Sequence, residues 1–351
     1  MGEGKNLIGV DIGSSSIKVC QIKESRKGLL LHRLGFAPLP PGAVVDGQVM
    51  DASTVVETLK RVLADSRVRG REAALSVSGQ SVIIRKITVP LMTPSELAEQ
   101  ITWEAEQHIP FDIKDVQVDY QVLRRRADAG QMDLLLVAAR KDQISAYAQL
   151  AKDAKLKPLV VDIDAFTIQN AFEATFGVEE REVVALINVG ASLSSLNVLA
   201  GGTSSFTREI AHGGNLITQE IQRQMGVPFE VAEAFKCGAA PDGSPVPAQV
   251  APIIEQSVDS IAAEIQRSLD FFMATSGEGD IARAVLTGGT ANLPGLATAI
   301  ERRARVSVQT LHPATRCTPD SSINRAVFDQ RAPQLAVALG LTLRKEREAR
   351  A

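Results

Sequence analysis

The sequence predicts an α/β protein with a duplicated core. Three observations carry that prediction. The order strand, small-residue turn, strand, turn, strand, helices runs twice, from near Asn6 and again from near Val183. Three apolar strands run into glycine-bearing turns, at Asp11-Ile12-Gly13-Ser14-Ser15-Ser16, Asn188-Val189-Gly190-Ala191-Ser192 and Gly288-Gly289-Thr290-Ala291-Asn292. Between the two copies, from about Val82 to Lys157, lies a block of different texture. A length of 351 residues exceeds what one core usually organises and fits roughly two to three domains.

The elements follow in order. Asn6–Val10 reads as an apolar strand, and Ile17–Lys23 and Leu29–Phe36 as strands around a turn at Arg26-Lys27-Gly28. After the loop Pro38-Leu39-Pro40-Pro41-Gly42, the segment Ala52–Ala64 puts Val55, Val56, Leu59, Val62 and Leu63 on one helical face. Ala73–Ser78 and Val82–Val89 are strands. Thr93-Pro94-Ser95-Glu96 then starts a helix: Thr93 caps free backbone donors, Pro94 suits the first turn, and Glu96 completes a capping box. That helix runs to about His108, with Trp103 read as a core residue. Val116–Arg124 and Met132–Ala139 pair around Ala127-Asp128-Ala129-Gly130, with Arg124-Arg125-Arg126 a solvated tip, and a helix follows from Lys141 to Ala154.

Leu159–Ile163 returns as a strand, followed by a helix through Phe176. Val183–Val189, Leu193–Ala200 and Thr203–Ile210 are strands, so the uncharged stretch Val183 to Thr207 reads as a hairpin and not as a membrane span. Gly214–Met225 and Pro228–Phe235 are helices. A Pro-rich loop, Ala239 to Pro247, precedes a long amphipathic helix from Pro252 to about Thr275. Ala282–Leu286 is a buried strand, and Pro333–Leu343 an internal closing helix. Met225 and Cys237 are read as packing residues.

Composition narrows the function. Hydrophobic residues are 45%, charged residues 23% and the net charge −3, so wholesale disorder is excluded. With 4% aromatics and no basic surplus, nucleic-acid binding starts low. The first apolar run, Leu7-Ile8-Gly9-Val10, is too short for a signal-peptide core, and Met1-Gly2-Glu3-Gly4-Lys5-Asn6 lacks a myristoylation pattern. Cys20, Cys237 and Cys317 are isolated, as are His32, His108, His212 and His312, so neither a disulfide framework nor a metal cage is expected and a cytoplasmic home is.

The glycine turns carry the chemistry. Glycine lets the backbone approach a ligand, and successive N–H groups form anion-binding concavities. Ser14, Ser15 and Ser192 add hydroxyls, Lys18 can reach the same phosphates, and Asp11 suits the hydration shell of a phosphate-bridging Mg²⁺. The Walker and Rossmann patterns are both absent. Each turn alone reads most simply as a hairpin; three in order on a duplicated scaffold are the signal.

These residues resemble the actin-like ATPase superfamily, which includes actin, sugar kinases, heat-shock chaperone ATPases and FtsA. Within it the resemblance is to the FtsA-related PilM family of type IV pilus assembly proteins, over residues 6–345. Asp11, Gly13, Ser14, Ser15 and Lys18 resemble the first phosphate loop, and Asn188, Gly190 and Ser192 lie at the second. Gly213, Gly214 and Asn215, with Glu233 and Lys236, resemble the segment that holds ribose and adenine; Glu233 and Lys236 read bare are also a simple i, i+3 ion pair. Gly288, Gly289 and Thr290 resemble the adenosine loop.

The resemblance implies a fold, a ligand pair and a partner. The division is 1–81 with 158–182 as the core of lobe 1, 82–157 as an FtsA-type inserted subdomain, 183–210 with 277–332 as the core of lobe 2, 211–276 as its upper subdomain, and 333–351 as closing helix and tail. ATP with Mg²⁺ lies between the lobes, Asp11 meeting the metal through water. The implied partner is the N-terminal cytoplasmic tail of the membrane protein PilN, bound through the inserted subdomain. Other pilus platform proteins and motor ATPases are further implied partners, and the location is peripheral, at the inner face of the cytoplasmic membrane. The family often has Asp at the second phosphate loop; Asn188 removes that charge, on the order of 4 kcal/mol at most at ~4 Å. Hydrolysis is therefore expected to suffer more than binding. Asp164 is the one acid nominated to position water, with a helix N-cap as its alternative and Asp162 in reserve. Two other readings share the scaffold: a sugar-type kinase, for which no substrate pocket is legible, and an FtsA-like filament former, whose membrane helix the charged end Arg344-Lys345-Glu346-Arg347-Glu348-Ala349 does not supply.

Overall fold

The computed structural model describes residues 5–25, 28–313 and 316–345. Part of the expected Arg26-Lys27-Gly28 turn, and the charged end from Glu346 onward, lie outside these. In chain order, β1 (Ile8–Ile12), β2 (Ser16–Ser25) and β3 (Gly28–Pro38) lead to a short hairpin, β4 (Val44–Val45) and β5 (Gln48–Val49). Then come α1 (Ala52–Asp65), β6 (Glu72–Val77), β7 (Val82–Pro90), α2 (Pro94–Glu106), β8 (Val116–Arg126), β9 (Gln131–Arg140), α3 (Lys141–Asp153), β10 (Lys157–Ile163) and α4 (Asp164–Phe176). The second copy has β11 (Val183–Val189), β12 (Ser194–Ala200), β13 (Thr203–Ile210), α5 (Gly214–Met225), α6 (Phe229–Lys236) and α7 (Val250–Thr275). It continues with β14 (Arg283–Thr287), α8 (Leu296–Ala304), β15 (Val308–Thr310), β16 (Cys317–Pro319), α9 (Arg325–Arg331) and α10 (Ala336–Thr342).

Two sheets form the duplicated core. The first has the order β10-β6-β1-β2-β3-β16 and the second β13-β12-β11-β14-β15. In each, a central strand pairs antiparallel with the next strand in sequence and parallel with a later one: β1 with β2 and β6, β11 with β12 and β14. Parallel pairing in mid-sheet covers both faces, and so every residue of β1 is buried. The third sheet, β7-β9-β8, packs Ile87, Val89, Met132, Leu134 and Leu136 against Leu97, Ile101 and Ala105 of α2.

The capping box of α2 forms as read: the Thr93 side chain accepts from the Glu96 N–H, and the Thr93 N–H donates to Glu96 Oε2 at 2.8 Å. The closing helix depends on close backbone approach. A Cβ on Gly340 would lie 1.8 Å from the Thr167 carbonyl oxygen, and one on Gly9 would lie 2.0 Å from that of Ala338. Only glycine lets α10 lie this close to α4 and β1.

Four readings need correction. Trp103 is not core but 62% exposed, because the buried stripe of α2 is Leu97, Ile101 and Ala105 and position 103 falls on the opposite face. Cys237 is exposed, whereas Met225 does pack on the second core. The helix expected over Pro333–Leu343 is a 3-10 turn at Ala332–Leu335 followed by α10. There the Pro333 carbonyl is taken by the Gly288 N–H and the Thr287 hydroxyl, at 2.9 and 2.6 Å. Finally, β16 pairs parallel with β3 of the first sheet, although the sequence division puts residues 277–332 with the second. Among the described residues no helix is long and apolar enough to cross a membrane.

Candidate functional site

A cleft of about 1940 Å³ opens between the two five- and six-stranded sheets, and all three glycine turns reach it. The first turn closes by a bond from the Gly13 N–H to the Ser16 carbonyl at 3.1 Å. Tight closure brings Lys18 into register opposite Asp11, and Lys18 Nζ lies 3.2 Å from Asp11 Oδ2 with both side chains nearly buried. A Cβ on Gly13 would sit 3.0 Å from Lys18 Nζ. The turn is thus an open cradle with a lysine at its base, and Ser14 and Ser15 line it.

The second and third turns are pinned to one another. The Gly190 carbonyl accepts the Gly214 N–H at 2.9 Å and the Thr290 hydroxyl at 2.9 Å. The Ala191 carbonyl accepts the Asn215 N–H at 2.7 Å. Gly288 has φ +96°, and a Cβ there would be 2.3 Å from the Val189 carbonyl oxygen and 2.6 Å from Asn188 Oδ1. A Cβ on Gly213 would be 2.5 Å from the Ala191 oxygen. Backbone packed this closely admits no side chain, which explains the small residues in three segments remote in sequence.

Asn188, Gly190, Ser192, Gly213, Asn215, Glu233, Lys236, Gly288, Gly289 and Thr290 all line the cleft. Gly214 does not. It is buried behind the wall, where Lys236 Nζ donates to its carbonyl at 3.2 Å. The same ammonium lies 2.6 Å from Glu233 Oε2 and donates to Thr218 Oγ1 at 2.9 Å. Thr218 Oγ1 in turn donates to Glu233 Oε2 at 2.5 Å. This network is more than a surface i, i+3 pair, since Lys236 is nearly buried while Glu233 stays half open to the cleft.

Asp164 lines the cleft as the first residue of α4; the N-cap is Ile163, without a side-chain cap bond. The expected capping alternative is therefore not what the side chain does. Its Oδ1 accepts the Ser76 hydroxyl at 2.5 Å. Burial first, and then the charge of Asp11, push Asp164 up to about 7, against the pull of the Ser76 and Ser78 hydroxyls and Lys18. Asp162 points elsewhere, into an ion pair with Arg344 at 2.6 Å.

The structure adds cleft residues that the sequence did not single out. Glu209, at the end of β13, is open to cleft water yet walled by both halves. That crowding, with the charge of Asp164, pushes its carboxyl up to about 7 while the Gly79 N–H works the other way. Arg331 stacks on Phe36 with its guanidinium carbon 3.7 Å from the ring centroid, and both line the cleft. Tyr147 reaches the cleft from α3. Strand alternation makes Glu209 an outward residue, but no local pattern says that outward here means into a cleft.

The donor set suits a polyphosphate with a divalent ion. The Gly13 cradle is empty of side chain, a lysine and hydroxyls face it, and Asp11 offers a carboxylate beside it. Among the described residues no cluster of three or more His, Cys, Asp or Glu could hold a metal by itself. A metal here would then ride on the phosphates and meet Asp11 through water.

Comparison with known proteins adds family and fold. The family model described as type IV pilus assembly protein PilM matches residues 9–346. A solved PilM–PilN type IV pilus biogenesis complex contains a chain 28% identical, with a TM-score of 0.86 over 97% of this chain and 98% of that one. MreB 5 of Spiroplasma citri, solved bound to AMPPNP, is 11% identical with a TM-score of 0.53, over 97% of this chain and 96% of its own. The cell division protein FtsA of Escherichia coli K12 is 22% identical over 257 residues, 66% of this chain. The matched region spans 60% of that relative's length. The actin-like α/β fold expected from the sequence is the fold observed.

Proposed function

The chain belongs to the PilM family of type IV pilus assembly proteins, and from that premise we propose that it is an ATP-binding switch of the pilus inner-membrane assembly platform. It holds Mg·ATP in the cleft and the N-terminal cytoplasmic tail of PilN through the unit of residues 82–157. Through that tail it is recruited to the inner face of the cytoplasmic membrane, where other platform proteins and motor ATPases lie within reach. The remaining division of the chain into two lobes, an upper subdomain and a closing helix is retained as part of the reading.

One observation carries the nucleotide part: turns from both copies of the core meet at one cleft, with a lysine–carboxylate pair at the first of them. The first turn and Lys18 face the phosphates. Asp11 takes the hydrated metal, which when bound neutralises phosphate charge. Gly213 and Asn215 with Glu233 and Lys236 take the sugar and base side, and Gly288, Gly289 and Thr290 the adenosine. Gly214 acts from behind, by anchoring Lys236. Because such a ligand touches both halves, its preference for one arrangement shifts the population of that arrangement, and a partner that reads the arrangement reads the ligand. The PilN part rests on family membership and on the likeness to a chain solved with PilN.

The test is calorimetry with Mg·ATP on the wild type and on Asp11→Ala. The variant is expected to bind at least tenfold more weakly, about 1.4 kcal/mol. Equal affinity would remove Asp11 from the site. A synthetic peptide of the PilN tail tests the partner by direct titration, and absence of binding would reject it.

A further inference from the structure

The inference below rests on the nucleotide reading just given. β13 is an edge strand of the second core sheet and β7 an edge strand of the three-stranded sheet, and the two sheets are separate. The strands nonetheless run against each other. Thr207 Oγ1 donates to the Ile84 carbonyl at 3.4 Å. Lys86 Nζ donates to Glu278 Oε1 at 2.8 Å, and Ser205 Oγ donates to the same oxygen at 3.2 Å. Glu278 lies just beyond α7, so it belongs to the second half of the chain, as Ser205 and Thr207 do.

Sequence geometry explains the row. Thr207 and Glu209 are two apart and share a face of β13, and Ile84 and Lys86 share a face of β7. Ser204 and Phe206 pair with the adjacent residues Leu199 and Val198, which leaves Ser205 bulged out of the ladder and turned to Glu278. At the inner end Glu209 faces Gly79, in the link that leads from β6 into β7. A Cβ on Gly79, φ +87°, would be 3.6 Å from the Leu193 side chain. Glu209, Leu193 and Ser78 all line the cleft. The seam therefore begins inside the cleft and ends at a half-exposed ion pair on the surface.

We propose that this β7–β13 seam is the clasp through which cleft occupancy and the 82–157 unit act on each other. Side chains join the strands, so the seam can part without breaking a backbone ladder, which is what a two-state element needs. A nucleotide that holds the two halves together closes the seam and fixes β7. By reciprocity, a seam held closed strengthens nucleotide binding by the same factor.

The test sets charge against charge. Lys86→Glu opposes Glu278 with a like charge, and the double variant Lys86→Glu/Glu278→Lys restores the pair reversed. Mg·ATP affinity is measured by calorimetry, with hydrogen exchange of residues 79–90 followed alongside. Lys86→Glu is expected to bind Mg·ATP about three- to tenfold more weakly, the scale of losing one such pair and gaining a repulsion. Its amides at 79–90 exchange faster, and the double variant returns to within about twofold of wild type. Glu278→Gln, which removes the charge without repulsion, should fall between. A Lys86→Glu protein with wild-type affinity overturns the clasp and leaves the nucleotide site standing; so does a double variant as weak as the single. A wild type that binds no Mg·ATP overturns the nucleotide reading and this one with it.

Discussion

Asp164→Asn should change how stability responds to pH, and the sign follows from the structure. Burial and the neighbouring Asp11 raise the Asp164 carboxyl from 3.8 to about 7. A raised acid keeps its proton longer in the folded protein than in the unfolded chain. Between about pH 4 and about pH 7 the folded state therefore binds more protons, and stability falls as pH rises through that window. A shift of about 3 units sets a ceiling near 4 kcal/mol. Asp164 is only partly shielded from cleft water, which reduces the expected figure to about 1–2 kcal/mol. Glu209 is raised partly by the charge of Asp164, so the amide at 164 also relaxes Glu209. Asp51, Glu220 and Asp320 are held down to about 2 by hydrogen bonds, and act only as pH falls below about 4. An amide keeps an oxygen for the Ser76 hydroxyl, so the comparison isolates the charge. Urea unfolding from about pH 5 to about pH 8 should show wild-type stability declining more steeply than the variant's, which keeps the slope that burial of Glu209 contributes, the variant ending about 1–2 kcal/mol more stable. Parallel curves would mean that Asp164 ionises normally and that the cleft does not crowd it.

Asn188→Asp should leave Mg·ATP affinity within about threefold and raise the rate of phosphate release, since a full charge orients water better than an amide does; equal or slower release would count against a switch limited at this position. Gly340→Ala should cost about 1–3 kcal/mol or more in stability, because the added carbon would lie 1.8 Å from the Thr167 carbonyl. A wild-type melting temperature would show that α10 and α4 are less tightly packed than they stand here.

What the sequence made legible was local chemistry. The start of α2 is written within four residues, from Thr93 to Glu96, and each bond it implies is present. The strand ends of both copies were legible because apolar runs stop at glycine turns whose carbonyls and amides close on themselves, as at Gly13 and Gly190. Long-range facts were not. β16 has three residues, and its partner strand β3 begins at Gly28, so no window of sequence contains the pair. Trp103 looked like core because aromatic residues usually are, yet one turn of helix geometry put it outside. Gly214 falls with Gly213 and Asn215 in the segment whose resemblance implies a ribose and adenine role, but successive residues at a helix start point in different directions, and of the two glycines only Gly213 lines the cleft.

The charge state of the cleft argues for retention of a polyanion over its rapid turnover. Asp11, Asp164 and Glu209 are among the carboxylates that line the cleft, and Asp11 stands beside the Gly13 turn. Counted at full charge they would repel a triphosphate, at about 1 kcal/mol per pair even through water at ~4 Å. Asp11, however, is matched by Lys18 at 3.2 Å, and crowding raises Asp164 and Glu209 above the usual carboxylate range, so each gives up its proton less readily there. The fourth position is an amide, Asn188. A cleft whose acids near the Gly13 turn are paired or raised in this way repels phosphate less than a full count of charges would. It is also short of the ionised base that would draw a proton from water. Both consequences come from the same crowding of Asp164 by burial and by Asp11. Raising the pH above about 7 should then loosen Mg·ATP while quickening any turnover, the two effects moving in opposite directions on one titration. If affinity and turnover instead rose together with pH, the acids would not be acting as this charge count requires.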